Sequence, residues 1–267
     1  MLRVVVAGAT GWVGRALVPA IAAQGDMVLA AAVARRAAGS DAGEAIGLPR
    51  LGVALVATLD EALAQPSDVL VDYTKPDVVK DHALAALAAG RRVVIGTSGL
   101  GPDDFAEIEA AARDAGVGAF AAGNFSITAT LMKRFALEAA RYVPDVEVID
   151  YASARKPDAP SGTARELAEA LASVRQPSTS RPQSEVIGIP EAPGAVVGEG
   201  GGVQVPSVRL PSYVLSCEAL FGLPDERLTI RHDAGSSALP YVAGTLLAIR
   251  RVMGVSGLVR GLDALLD

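Results

Sequence analysis

Three glycines at intervals of three, Gly8, Gly11 and Gly14, close a β-branched run over residues 2–7 and open an alanine-rich stretch over 12–23. No other feature restricts the fold as much. A strand that enters a helix through a tight glycine turn gathers free N–H groups and the positive end of the helix dipole at one point, which suits a phosphate. The spacing is G-x-x-G-x-x-G, not the common G-x-G-x-x-G, because Ala9 and Thr10 fill the middle. Glycines that serve only a turn and close helix packing give the same local pattern, but the flanking strand and helix favour the phosphate. The alternation then repeats. Apolar runs at 27–33, 68–72, 92–95 and 117–121 are separated by helix-compatible stretches at 59–64, 78–89 and 103–115. Short runs without polar alternation are strands buried on both faces, so the first half is expected to be α/β, a Rossmann-type doubly wound parallel sheet.

Past residue 126 the pattern changes. A helix over 127–142, a strand over 146–154 and a helix over 161–172 precede two stretches expected to be loops, 173–185 and 190–206. Strands near 203–210, 213–220 and 227–232 have no helices between them, so a second α+β domain with a mixed sheet is expected. A last helix over 240–253 resumes the style of the first half. The expected division is a dinucleotide-binding domain of residues 1–126 and 235–267, and a substrate-binding and oligomerisation domain of residues 127–234.

Composition sets the outer limits. With 51% hydrophobic and 20% charged residues in 267, the chain should fold along most of its length. Thirty acids against 24 bases give a net charge of −6, which argues against a nucleic-acid partner while allowing a few cations to converge on a small anion. A single cysteine, Cys217, rules out an internal disulfide and a cysteine-held metal, so no metal site and a cytoplasmic location are expected. The longest charge-free run, residues 115–132, is broken by glycine, asparagine, serine and threonine, so no membrane segment is expected.

Strand ends carry the chemistry. The acid that usually accepts a ribose 2′-hydroxyl after the second strand is replaced by Ala34, Arg35 and Arg36. Guanidinium groups there suit a 2′-phosphate, so NADPH is favoured over NADH, the alternative being a solvated loop. Asp72-Tyr73-Thr74-Lys75-Pro76, Gly96-Thr97-Ser98-Gly99 and Gly123-Asn124-Phe125-Ser126 should open on the same edge of the sheet and line the cofactor crevice. Further on, Lys156-Pro157-Asp158-Ala159-Pro160-Ser161-Gly162-Thr163 follows a strand and opens a helix. Ser161 or Thr163 can cap that helix, and the N–H groups of Gly162 and Thr163, with the ammonium of Lys156, suit a carboxylate.

Taken together, the chain resembles the dihydrodipicolinate reductase family along almost its whole length. The resemblance rests on Gly8 to Arg15, Asp72 to Pro76, Gly96 to Gly99, Asn124 to Ser126 and above all Lys156 to Thr163, in the family's order and near its spacing. It implies NADPH- or NADH-dependent reduction of a small cyclic imine dicarboxylate on the lysine pathway, by a homo-oligomer that is a tetramer assembled through the second domain's sheet. Carried over by residue, it implies that Gly8, Ala9, Thr10, Gly11, Trp12, Val13, Arg35, Gly96, Thr97, Ser98, Ala122, Gly123, Asn124 and Phe125 hold cofactor. Gly162 and Thr163 would hold a substrate carboxylate, Lys156 and the Ser161 to Thr163 helix start are together expected to bind it, and Lys156 matches the family's catalytic lysine.

One departure stands out. The family's histidine pair, whose first member is the proton donor, reads Ala152 and Ser153 here. General acid catalysis contributes about 10²–10⁴ in rate, so its loss favours a divergent member that reduces another cyclic or conjugated imine carboxylate. Lys156 is then the best proton donor, and His82 is expected to be a helix-face residue near the cofactor. The alternatives are the family's own reaction, 4-hydroxy-tetrahydrodipicolinate reduction, and a non-catalytic NADPH-binding sensor or scaffold. A short-chain dehydrogenase or epimerase is disfavoured because the chain has no Tyr-x-x-x-Lys pair.

Overall fold

Val4, Val5, Val6 and Ala7 are all fully buried, so strand β1 (Leu2–Ala7) has no solvent face beyond its first two residues. Such a strand needs helices on both sides. A computed structural model describes residues 1–179, 185–189 and 191–266 and shows how they are supplied. Around β1 lie α1 (Gly14–Ala22), β2 (Met27–Val33), β3 (Leu55–Val56), α2 (Leu59–Leu63), β4 (Val69–Asp72), α3 (Pro76–Ala88), β5 (Arg92–Ile95), α4 (Pro102–Asp114) and β6 (Gly118–Ala121). Near the C-terminus come α7 (Leu239–Arg251) and β13 (Gly257–Arg260). The seven strands form one sheet in the order β13-β6-β5-β4-β1-β2-β3, and every pairing in it is parallel. Val4 and Val6 pack with Leu17 and Ile21 of α1 and Ile249 of α7, whereas Val5 packs with Leu59, Val79, Leu87 and Ile108 of α2, α3 and α4. The sheet is doubly wound, as its sequence implies.

Between these parts the chain builds α5 (Ile127–Ala140), β7 (Asp145–Ala152), α6 (Gly162–Val174), β8 (Ala195–Val197), β9 (Val203–Val205), β10 (Ser207–Arg209), β11 (Leu215–Leu223) and β12 (Glu226–Ala234). They form a mixed sheet in the order β12-β11-β7-β9-β8, with β10 also pairing β7. Val146 and Val148 of β7 pack with Met132 and Ala136 of α5, Leu167 and Leu171 of α6, and Phe221 of β11. The chain divides into two compact units, Met1–Ile127 with Ala238–Asp267, and Thr128–Ser237.

Three strands lie where none was expected. Strand β8 falls inside the expected loop 190–206, held by antiparallel pairing to β9; β3 has only two residues, and β13 holds one apolar pair, Leu258 and Val259, between Gly257 and Arg260. The run 203–210 is split at Pro206, which has no N–H for a ladder, although β9 and β10 both pair with β7. Residues 180–184 and 190 of the expected loops lie outside the described residues. Among the described residues no helix is long and apolar enough to cross a membrane.

Glycine is required where β1 meets α1. Gly8 adopts φ +83°, and a Cβ at Gly14 would overlap the carbonyls of Gly8 and Ala9. Gly14→Ala is therefore expected to cost about 2 kcal/mol and to lower Tm by about 4–8 °C in a thermal denaturation.

Candidate active site

The order of the parallel sheet reverses at β1, which pairs with β2 on one side and β4 on the other. Crevices at such a switch point, beyond the carboxyl ends of the strands, are where open α/β sheets bind ligands. The expected cofactor residues lie along this edge. In strand order they are Ala122, Gly123, Asn124 and Phe125 after β6; Gly96, Thr97 and Ser98 after β5; Tyr73 and Thr74 after β4; Gly8 to Val13 after β1; and Arg35 after β2.

The glycine turn is a donor array. Val33 O accepts from the N–H groups of Gly8 and Ala9, and Gly8 O accepts from Gly11, which shapes the turn. The N–H groups of Thr10, Trp12 and Val13 donate to no acceptor among the described residues. Three uncommitted donors at the start of α1 fit a pyrophosphate. Trp12 is 58% exposed, and its ring stands edge-on to Tyr241 of α7 at 5.5 Å.

Arg35 and Arg36 are both exposed, in a 3₁₀ turn directly after β2. The next carboxylate, Asp41, is buried and accepts from the backbone N–H groups of Gly43, Glu44, Leu51 and Gly52 at 2.8–3.3 Å. Those donors, Leu51 foremost, hold its pKa below the ordinary carboxylate value against desolvation. It is a loop staple whose oxygens are taken up by backbone donors, and neither Arg35 nor Arg36 pairs with it.

Other edge residues are fixed from below. Tyr73 is largely buried, with its hydroxyl 2.7 Å from Thr245 Oγ1 of α7, and burial raises its pKa. Its ring lies against Gly96 and meets the buried ring of Phe125 edge-on at 5.8 Å. Asn124 Oδ1 accepts from Ser126 N at 2.8 Å, and Ala122 N donates to Ile95 O. Asp72, fully buried, accepts from the hydroxyls of Thr74 and Thr97 at 2.6 and 2.8 Å.

The second unit carries the other site. Ser161 caps α6 by accepting from Ala164 N at 3.3 Å, and donates its hydroxyl proton to Asp150 Oδ1 at 2.7 Å. The structure thus uses the Ser161 side chain to build the helix start. The N–H groups of Gly162 and Thr163 donate to no acceptor among the described residues. Lys156 Nζ lies 2.7 Å from Asp158 Oδ1, with 31% of its side chain exposed, and it lowers the Asp158 pKa. A lysine on the segment that leads into a helix start with two free N–H groups supplies the chemistry that suits a small carboxylate.

A buried ion pair anchors this segment. Asp150 has no exposed surface, and Arg209 Nη2 donates to its Oδ2 at 2.6 Å and to Asp158 O at 2.8 Å. Desolvation pushes the Asp150 pKa up, but the Ser161 hydroxyl and Arg209 outweigh it and hold it low. The sequence pattern does not reveal Arg209: it stands 59 residues from Asp150, in a stretch without a motif. Ala152, in the family's donor position, is fully buried. The two histidines lie elsewhere: His82 Nδ1 is 2.7 Å from Asp72 Oδ2, and His232 Nε2 is 3.1 Å from Thr128 Oγ1, with its pKa lowered by burial.

Comparison with known proteins gives one answer along the chain. Residues 2–125 match the family model for the N-terminus of dihydrodipicolinate reductase, and residues 128–266 match that for its C-terminus. The 4-hydroxy-tetrahydrodipicolinate reductase of Desulfitobacterium hafniense is 41% identical over 268 residues, covering 100% of this chain and 99% of that protein. That of Synechococcus elongatus is 40% identical, covering 99% and 98%. A dipicolinate-bound dihydrodipicolinate reductase from Paenisporosarcina sp. TG-14 superposes with a TM-score of 0.87 at 32% identity, covering 100% of both chains.

Proposed function

The chain belongs to the dihydrodipicolinate reductase family and is an NAD(P)H-dependent oxidoreductase, and within that family we propose that it is a cytoplasmic 4-hydroxy-tetrahydrodipicolinate reductase that prefers NADPH. The observation that carries this choice is identity of about two residues in five, over the whole chain, with relatives that bear that name. Ala152 and Ser153 alone point toward another imine. Full-length similarity involves both units and outweighs two positions.

Bound NADPH supplies a hydride. In this proposal the free N–H groups of Thr10, Trp12 and Val13 hold the pyrophosphate and Arg35 holds the 2′-phosphate. Gly162 and Thr163 bind one substrate carboxylate through their N–H groups. Lys156 exchanges its contact with Asp158 for that carboxylate, a like-for-like swap of one anion for another. Hydride addition builds negative charge on the imine, and an ammonium fixed nearby stabilises it more than it stabilises the ground state. Lys156 Nζ also carries the proton that completes the reduction. Ser161 acts through the helix start it caps.

Arg35→Ala is expected to raise KM for NADPH by about tenfold and leave KM for NADH unchanged, because a charge-assisted contact to phosphate is lost. Steady-state kinetics with both cofactors check this. We also infer a homotetramer, formed through the face of the second sheet opposite α5 and α6, where Tyr151, Glu218 and Arg231 interact. Light scattering checks it.

Calorimetry tests the functional proposal. NADPH and pyridine-2,6-dicarboxylate should both bind. Binding of the cofactor alone would indicate a sensor, and weak dicarboxylate binding would indicate a different imine.

A further inference from the structure

Asp72 is a charged group with no exposed surface at the carboxyl end of a central strand. Desolvating a carboxylate costs several kcal/mol unless donors surround it. Four donors do. Oδ1 accepts from Thr74 N at 2.9 Å, Thr74 Oγ1 at 2.6 Å and Thr97 Oγ1 at 2.8 Å, while Oδ2 lies 2.7 Å from His82 Nδ1. The carboxylate thereby ties the end of β4 to the end of β5 and to α3. A turn that needed only shape could be closed by backbone bonds, and one is already present: Gly96 N donates to Asp72 O at 2.9 Å.

Hydroxyl direction is the consequence. A threonine hydroxyl has one proton, and those of Thr74 and Thr97 both go to Asp72. Facing away from the carboxylate, both oxygens offer only lone pairs. The edge therefore changes polarity along its length: N–H donors at the glycine turn after β1, guanidinium groups after β2, hydroxyl acceptors after β4 and β5. Donors suit phosphates; acceptors suit O–H and N–H groups. With the 2′-phosphate at β2 and the pyrophosphate at β1, the strand order leaves the nicotinamide riboside half, with its ribose hydroxyls and carboxamide NH₂, for the ends of β4 and β5.

We propose that Asp72, braced by His82, is a positioning residue that fixes Thr74 and Thr97 as hydrogen-bond acceptors for the nicotinamide riboside half of the dinucleotide. This rests on the assignment of the edge to NADPH. Wild-type protein should first be titrated with NADPH and with 2′-phospho-ADP, which keeps the 2′-phosphate and the pyrophosphate and lacks the whole nicotinamide riboside. Asp72→Asn should then weaken NADPH by about tenfold, because an amide turns one hydroxyl around, and leave 2′-phospho-ADP within about twofold. His82→Phe, which keeps a ring but no donor, should weaken NADPH by about threefold with the same selectivity, and His82→Gln should recover part of the loss. The His82 pair supplies the measurement if Asp72→Asn fails to fold. Equal weakening of both ligands, or of neither, overturns the positioning role and leaves the dinucleotide assignment standing. Absence of NADPH binding in the wild type overturns both.

Discussion

Lys156→Met is expected to lower kcat by about 10²–10³ and to leave the dissociation constant for NADPH within about twofold. Methionine keeps most of the side chain's length and removes the charge and the N–H donors. Lys156 and its partner Asp158 belong to the second unit, and the glycine turn belongs to the first, so cofactor binding should not register the change. With no histidine at positions 152 and 153, the proposed reaction gives the ammonium two tasks, stabilising charge and delivering a proton, and either alone has effects of this size. KM for the imine should rise as well, since one carboxylate contact disappears. Stopped-flow NADPH oxidation and calorimetry check the two parts. An unchanged kcat would remove Lys156 from the chemistry.

Arg209→Met is expected to destabilise the protein by about 3–5 kcal/mol at neutral pH, because it leaves the buried Asp150 carboxylate without its cation. The damage should reach the proposed carboxylate site too. Arg209 also donates to Asp158 O, and Asp150 accepts both the N–H and the hydroxyl of Ser161, so the start of α6 hangs on the pair. The pH dependence has a definite sign. Asp150 has a depressed pKa in the folded protein, so its stabilising contribution is full above the unfolded carboxylate value and is lost as pH falls through the folded one. The gap between wild type and Arg209→Met should therefore be widest near neutrality and narrow in acid, where protonation removes the unpaired charge. Urea unfolding at several pH values measures it.

These two residues also mark what the sequence discloses. Lys156 and the Ser161 to Thr163 helix start are legible because their chemistry is local: a cap, a glycine and a cation within eight positions. The parallel sheet is legible because strands buried on both faces, such as Val4 to Ala7, have no polar alternation. Arg209 is not legible, because its meaning comes from a carboxylate 59 residues away. The same holds for Thr245, 172 residues from the Tyr73 hydroxyl it meets, and for β13, which joins β6 across the intervening second unit. His82 shows the intermediate case. Its place on a helix after Pro76 is visible in the sequence, but its bond to Asp72 depends on α3 lying over the end of β4.

The most direct measurement is NADPH oxidation by the purified protein, supplied with freshly generated 4-hydroxy-tetrahydrodipicolinate and followed by the loss of nicotinamide absorbance. Stoichiometric oxidation with kcat in the ordinary enzyme range of about 1–10³ s⁻¹ is the predicted result. Protein that binds NADPH yet leaves it unoxidised with this imine, while turning over a different one, would contradict it.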